Sequence, residues 1–122
     1  MKEYYENFRV EDGVLYVRLS GEYPEERLQQ KENIFQPLID ECTAHKCKKA
    51  IVDARKLQIH FGTMEMFQTG KDAAFLAFIG LRIALLARED MIDPFFDDVA
   101  FNHGGNIGIF TDMEAARAWL QQ

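Results

Sequence analysis

A chain of 122 residues, 48% hydrophobic and 28% charged, has the size of one domain and enough apolar content to bury a core. Its 20 acidic and 14 basic side chains leave a net charge of −6, which argues against nucleic acid or an anionic membrane as the main partner, since both need a basic face; a local basic patch is compatible with that balance. Two cysteines, Cys42 and Cys47, fall short of a secreted disulfide scaffold, no apolar leader follows Met1, and no apolar run reaches the roughly 20 residues of a membrane span, so a reduced cytoplasm is the expected compartment.

In chain order, Phe8-Arg9-Val10 reads as a short edge strand and Glu11-Asp12-Gly13 as a turn, Asp-Gly being a favoured hairpin pair. Val14 to Ser20 then alternates: Leu15, Val17 and Leu19 share one face, Tyr16, Arg18 and Ser20 the other, the pattern of a strand packed on one side and partly wet on the other. Gly21 to Pro24 ends that strand and opens a helix, with Pro24 at the first helical position and Glu25 and Glu26 at the positive end of its dipole. Leu28, Phe35, Leu38, Ile39 and Cys42 fall on one helical stripe, interrupted by Pro37. An interior proline would cost about 3 kcal/mol, so the helix either kinks there or restarts from a cap at Asn33 with Pro37 in its first turn.

Lys46 to Lys49 reads as a solvated connection, and Ala50-Ile51-Val52, apolar on both faces, as a central parallel strand running into Asp53-Ala54-Arg55. The stretch from Lys56 to Thr63 reads as a loop. Gly62 or Thr63 caps the next helix, with Glu65 in its first turn, Phe67, Ala74 and Phe78 on its buried side, and Gly70 allowing close approach to the sheet. The apolar run Ala73–Ala87 contains Arg82 and is too short for a span; it divides into a helix end, a turn at Gly80 and the strand Ile83–Ala87, which Arg88 to Asp90 close. Asp93-Pro94 starts a helix-like segment over Met91–His103, and Phe95, Phe96, Val99 and Phe101 can pack from it. Gly104 to Asn106 is a turn and Ile107–Phe110 the last strand. Thr111-Asp112-Met113-Glu114 fits a capping box with Thr111 as the cap, ahead of a packing stripe of Ala115, Ala116, Trp119 and Leu120. The order is β-β-α-β-α-β-α-β-α: an α/β layer with about four helices and a mostly parallel sheet opened by an antiparallel hairpin.

Three stretches carry a family resemblance: Leu19-Ser20-Gly21-Glu22-Tyr23 with Glu25-Glu26, Ala50-Ile51-Val52-Asp53-Ala54-Arg55, and Phe110 to Leu120. Together they resemble the strand–glycine–acidic helix start, the central strand ending in aspartate, and the closing strand and helix of the STAS superfamily, specifically its SpoIIAA-like (STAS/SEC14-like) bacterial group. The resemblance spans Phe8 to Leu120. It implies a single STAS-like domain over residues 1–122 with a mostly non-enzymatic role. Anti-sigma factor antagonists of this kind bind a partner kinase and are switched by phosphorylation of a serine in an Asp-Ser-Ser-Gly-like turn before the second helix. The matching stretch here is Phe61-Gly62-Thr63-Met64, where Thr63 is the hydroxyl and no serine stands. The SEC14-like side implies a lipid or other small apolar ligand.

The candidate sites each have a structural and a functional reading. Asp53 either accepts amides at a strand end or, with Arg55, orients a ligand or partner at the carboxyl edge where α/β sheets place sites. Thr63 either caps a helix or is phosphorylated at its N-terminus. Cys42, His45 and Cys47 lack the second ligand pair of a structural zinc site, and Cys42 already fits an apolar stripe, so no metal is expected. His60 and His103 have no nucleophile at a recognisable spacing. Gly104 to Gly108 precedes a strand, whereas a phosphate cradle opens a helix, so turn chemistry accounts for it. Phe95 and Phe96 either pack a helix on the sheet or form a lid or dimer contact. No acid–base pair, nucleophile set or cofactor motif emerges. The expected function is a non-catalytic regulatory or protein-interaction module working through Asp53, Arg55, His60, Phe61 and Thr63. The alternative is a carrier or sensor of an apolar ligand that uses a pocket by Phe95 and Phe96. Either is compatible with a homodimer, the commonest oligomer.

Overall fold

The alternating N-terminal residues form a hairpin. β1 (Tyr5–Glu11) pairs antiparallel with β2 (Val14–Glu22), and Asp12 and Gly13 turn between them with φ of 52° and 76°. Two consecutive positive φ values make the turn whose twist matches the flanking strands. β1 is longer than the Phe8–Val10 strand expected, because β2 offers ladder partners as far as Ser20, opposite Tyr5. The computed structural model describes residues 3–24, 36–58, 76, 79–88 and 106–121. Pro24, expected to open the first helix, is described outside any helix or strand; Glu25 and Glu26, the stripe residues Leu28 and Phe35, the helix from Thr63 with Phe67, Ala74 and Phe78, and the Met91–His103 segment lie outside the described residues.

Three further strands complete one sheet in the order β1-β2-β3-β4-β5, with β3 (Lys49–Gln58), β4 (Arg82–Leu86) and β5 (Ile107–Phe110) all parallel to β2. Among the described residues two helices have defined bounds, α1 (Gln36–Ala44) and α2 (Met113–Leu120), so the expected count of about four is not matched there. Leu76 and Ile79 are helical and lead to a turn at Gly80.

Pro37 sits in the first turn of α1, where its missing amide would have no intrahelical acceptor. The stripe below it holds, with Leu38, Ile39 and Cys42 buried. The helix ends in a Schellman cap: Lys46 takes a φ of 56°, its amide donates to Thr43 O at 3.3 Å, and the Cys47 amide donates to Cys42 O at 2.8 Å. Such a cap brings the side chains on either side of it together, and Cys42 and Cys47 are both buried in one cluster. Leu76 and Leu81 repeat the arrangement around Gly80 (φ 74°), with the Leu81 amide 2.9 Å from Leu76 O. The chain thus enters β3 and β4 through the same kind of helix end.

The sheet separates two cores. Leu15, Val17, Ala50, Val52, Ile83 and Ile107 face α1 and Leu76, whereas Ile51, Ala84 and Leu86 face Ala116 and Leu120 of α2. Gly108 lies inside β5, in the strand expected, and a Cβ there would stand 2.6 Å from the Phe110 ring and 3.1 Å from Trp119. The missing side chain is the space that lets those two rings meet, with centroids 5.7 Å apart. Arg82 locks the far end of α2 to β4, stacking 4.1 Å from the centre of the Trp119 ring and donating to Trp119 O at 3.1 Å. A cation there also suits the negative end of the helix dipole.

The cap of α2 is Asp112, one residue later than expected. Its extended backbone and its Oδ1, which accepts the Ala115 amide at 2.9 Å, mark it as the N-cap, while Thr111 precedes it and is exposed. Either residue type can cap, and the close of β5 at Phe110 sets which one meets the first free amides. Asp112→Ala therefore lowers unfolding free energy by about 1 kcal/mol, whereas Thr111→Ala stays within about 0.5 kcal/mol of wild type, as read by urea denaturation of the two variants.

Candidate functional site at the carboxyl edge of the sheet

β3 outruns β4. Their ladder ends at Asp53 opposite Leu86, yet β3 continues to Gln58 beside β2. Lys56, Leu57 and Gln58, expected in a loop, are strand residues, with Leu57 buried. The register explains how. Arg18 faces Asp53, but Ser20 faces Lys56, so β3 carries one extra residue at Ala54–Arg55. This bulge re-aims the strand and keeps Leu57 turned inward after the polar pair Arg55-Lys56.

Within the bulge, Asp53 and Arg55 close on each other. The Asp53 carboxylate accepts the Arg55 backbone amide at 3.1 Å, Nε at 3.0 Å and Nη2 at 2.9 Å. The carboxylate is mostly covered (its side chain 17% exposed), while Arg55 stands at 42%. The Arg55 guanidinium holds the Asp53 carboxyl below the usual carboxylate range, opposed by burial and helped by the Arg55 amide and the charge of Arg18. Arg55 is correspondingly raised, first by its hydrogen bonds to Asp53 and also by the charge of Asp112, the N-cap of α2. The pair leaves one edge of an oriented guanidinium facing outward.

On the other side of β3, Arg88 takes the place of the absent strand. Its Nη1 donates to Arg55 O at 2.6 Å and to Leu57 O at 3.1 Å, two carbonyls that β4 is too short to reach. On the β2 side the Tyr23 amide donates to Gln58 O at 2.8 Å. The sequence offers no signal for Arg88, which reads only as a polar residue closing a strand.

Of the residues singled out in the sequence, the structure brings Asp53 and Arg55 into contact. His60, Phe61, Thr63, Phe95, Phe96 and His103 lie outside the described residues. Cys42, His45 and Cys47 do not converge on a common point. His45 lies 3.5 Å from Glu41 one helical turn back, and burial, first, pushes the Cys42 thiol up to about 11, reinforced by Cys47 and Glu41. A thiol held protonated is a poor metal ligand and a poor nucleophile.

No family model matches the sequence, and no curated protein matches it. Solved structures do. An anti-sigma factor antagonist from Mycobacterium paratuberculosis superposes with a TM-score of 0.57 at 13% identity, over 98% of this chain and 96% of that one. An uncharacterized protein with a SpoIIAA-like fold from Shewanella loihica gives 0.53 at 16% identity, over 98% and 95%. The chain therefore has a SpoIIAA-like fold. In this fold the Asp53–Arg55 pair occupies the carboxyl edge of a parallel sheet, the edge at which open α/β sheets gather their sites. Among the described residues no helix is long and apolar enough to cross a membrane.

The pair is open to a pH test. A carboxyl held low in the folded state contributes stability above its unfolded pKa, near the ordinary aspartate value of 3.8, and loses it as pH falls through the lower folded value. Wild type is therefore more stable than Asp53→Asn at pH 7, and the gap closes below about pH 4; urea melts at both ends of that range would show a constant gap if the pair contributed nothing.

Proposed function

We propose that this SpoIIAA-like domain is a non-catalytic regulatory module that engages a protein partner at the carboxyl edge of its sheet. In this reading Arg55 is the charged contact, Asp53 is its mount, and His60, Phe61 and Thr63 on the segment that follows extend the surface. The observation that carries the reading is the likeness along almost the whole chain to an anti-sigma factor antagonist. The local geometry supports it, since a guanidinium already fixed by a bidentate carboxylate loses little freedom on docking and keeps donors for an acidic group. Thr63 is the hydroxyl at which a phosphate would alter this surface, by adding a dianion to the segment beside Arg55.

The test is a paired capture from lysate of the source organism, with wild type and Arg55→Glu as baits and native mass spectrometry of each. The reading expects a protein retained by wild type and lost by the variant, with both baits folded by circular dichroism. Equal retention by the two baits, or a non-covalent small-molecule mass on the wild-type chain, would overturn it; the latter would install a carrier of an apolar ligand in its place.

A further inference from the structure

Among the described residues α2 is the element that packs on the second face of the sheet, over Ala84, Leu86 and Ile51 of β4 and β3, with Val14 and Tyr16 of β2 at the margin of that cluster. The β1–β2 half beyond that margin is organised around Tyr16. Arg9 on β1 brings its guanidinium carbon to 4.8 Å from the Tyr16 ring centre, and Arg117 on α2 brings its own to 5.8 Å. Arg18 follows two residues along the same face, flanked across the ladders by Asn7 and Asp53. Lys56 stands one step further, opposite Ser20. Arg9, Arg18, Lys56 and Arg117 are all exposed.

An arginine-centred face is unexpected in a chain of net charge −6. Two of its acids are already engaged: Asp53 is held by Arg55, and Glu11 lies 3.4 Å from Arg9, in a pair whose members are 62% and 56% exposed. A guanidinium resting on an aromatic ring is oriented by the ring but keeps its in-plane N–H donors, the ones that grip a carboxylate in a two-pronged bond. Two such guanidiniums around one tyrosine, with Arg18 beside them, form a receptor for carboxylates spaced along a chain. The acidic remainder of the molecule works against a long polyanion such as a nucleic acid, whose charge extends beyond the patch, and favours a short acidic peptide that fits within it.

We infer that the exposed arginine-rich part of the β1–β2 face, around Tyr16 with Arg9, Arg18 and Arg117, is a docking surface for an acidic segment of a protein partner. It adjoins the carboxyl edge through Arg18, which lies across the ladder from Asp53, but its centre at Tyr16, Arg9 and Arg117 is not among the contacts proposed for that edge.

The probe is a fluorescein-labelled twelve-residue peptide rich in Glu and Asp, titrated by anisotropy into the full chain, with a lysine-rich peptide of the same length, a single-stranded oligonucleotide and phosphatidylserine vesicles alongside. The inference expects saturable binding of the acidic peptide that weakens as salt rises, with NMR shifts at the Tyr16 ring and the side chains of Arg9 and Arg117. It also expects at least a tenfold weaker affinity in the Arg9→Ala/Arg117→Ala pair and in Arg18→Glu, with the melting temperature little changed in the latter, since Arg18 is exposed. No binding, binding equal in wild type and Arg18→Glu, or shifts confined to Arg55 would overturn it. So would tighter binding of the oligonucleotide or the vesicles at the same salt, which would assign the face to a different class of partner.

Discussion

The carboxyl edge of this sheet depends on Arg88 standing in for a strand. Beyond Leu86 there is no β4 to receive the carbonyls of Arg55 and Leu57, and a strand edge left that way would have to find water or fray. One guanidinium accepts both duties. Hydrogen bonds to a charged donor contribute about 1.5–3 kcal/mol each, enough to hold residues 54–58 extended beside β2. The consequences reach the chemistry. The bulge that lets β3 continue is also the turn in which Asp53 captures the amide and guanidinium of Arg55. Without the extension Arg55 would be a solvated loop residue; with it, Arg55 is a mounted charge.

The same sheet distributes its two faces to different tasks. The face toward α1 is a closed apolar core whose entering helices end in matched Schellman caps, Cys42 with Cys47 and Leu76 with Leu81. The other face is divided. One half is sealed by α2, fastened at its N-terminus by Asp112 and at its C-terminus by Arg82 on Trp119. The remaining half carries Tyr16 between arginines. Arginine thus serves three distinct purposes here: capping carbonyls at Arg88, clamping a helix at Arg82, and presenting charge at Arg9, Arg18, Arg55 and Arg117. Among the described residues the last group is the exposed one, while Arg82 and Arg88 are partly buried.

Much of this frame was legible in the residues. The Asp-Gly hairpin, the continuous apolar runs of β3 and β4, the bounds of β5 and the stripe of α2 all follow from short-range periodicity and turn chemistry, and each is found where that chemistry puts it. The failures share a cause. Lys56-Leu57-Gln58 looks like a loop because its supports, Arg88 and the β2 end, are distant in sequence. Thr111 and Asp112 are equally good caps by type, and a one-residue difference in where β5 stops decides between them. In each case local pattern names the options and a long-range contact selects one.

The central claim is that residues 55–58 are a strand held by Arg88, and amide hydrogen exchange tests it most directly. The account predicts that the amides of Lys56, Leu57 and Gln58 are protected in wild type, and that Arg88→Ala raises their exchange selectively while Ile51 and Val52 stay protected. Rapid exchange across 55–58 in the wild-type chain, or exchange there unchanged by Arg88→Ala, would contradict it and return this stretch to a loop.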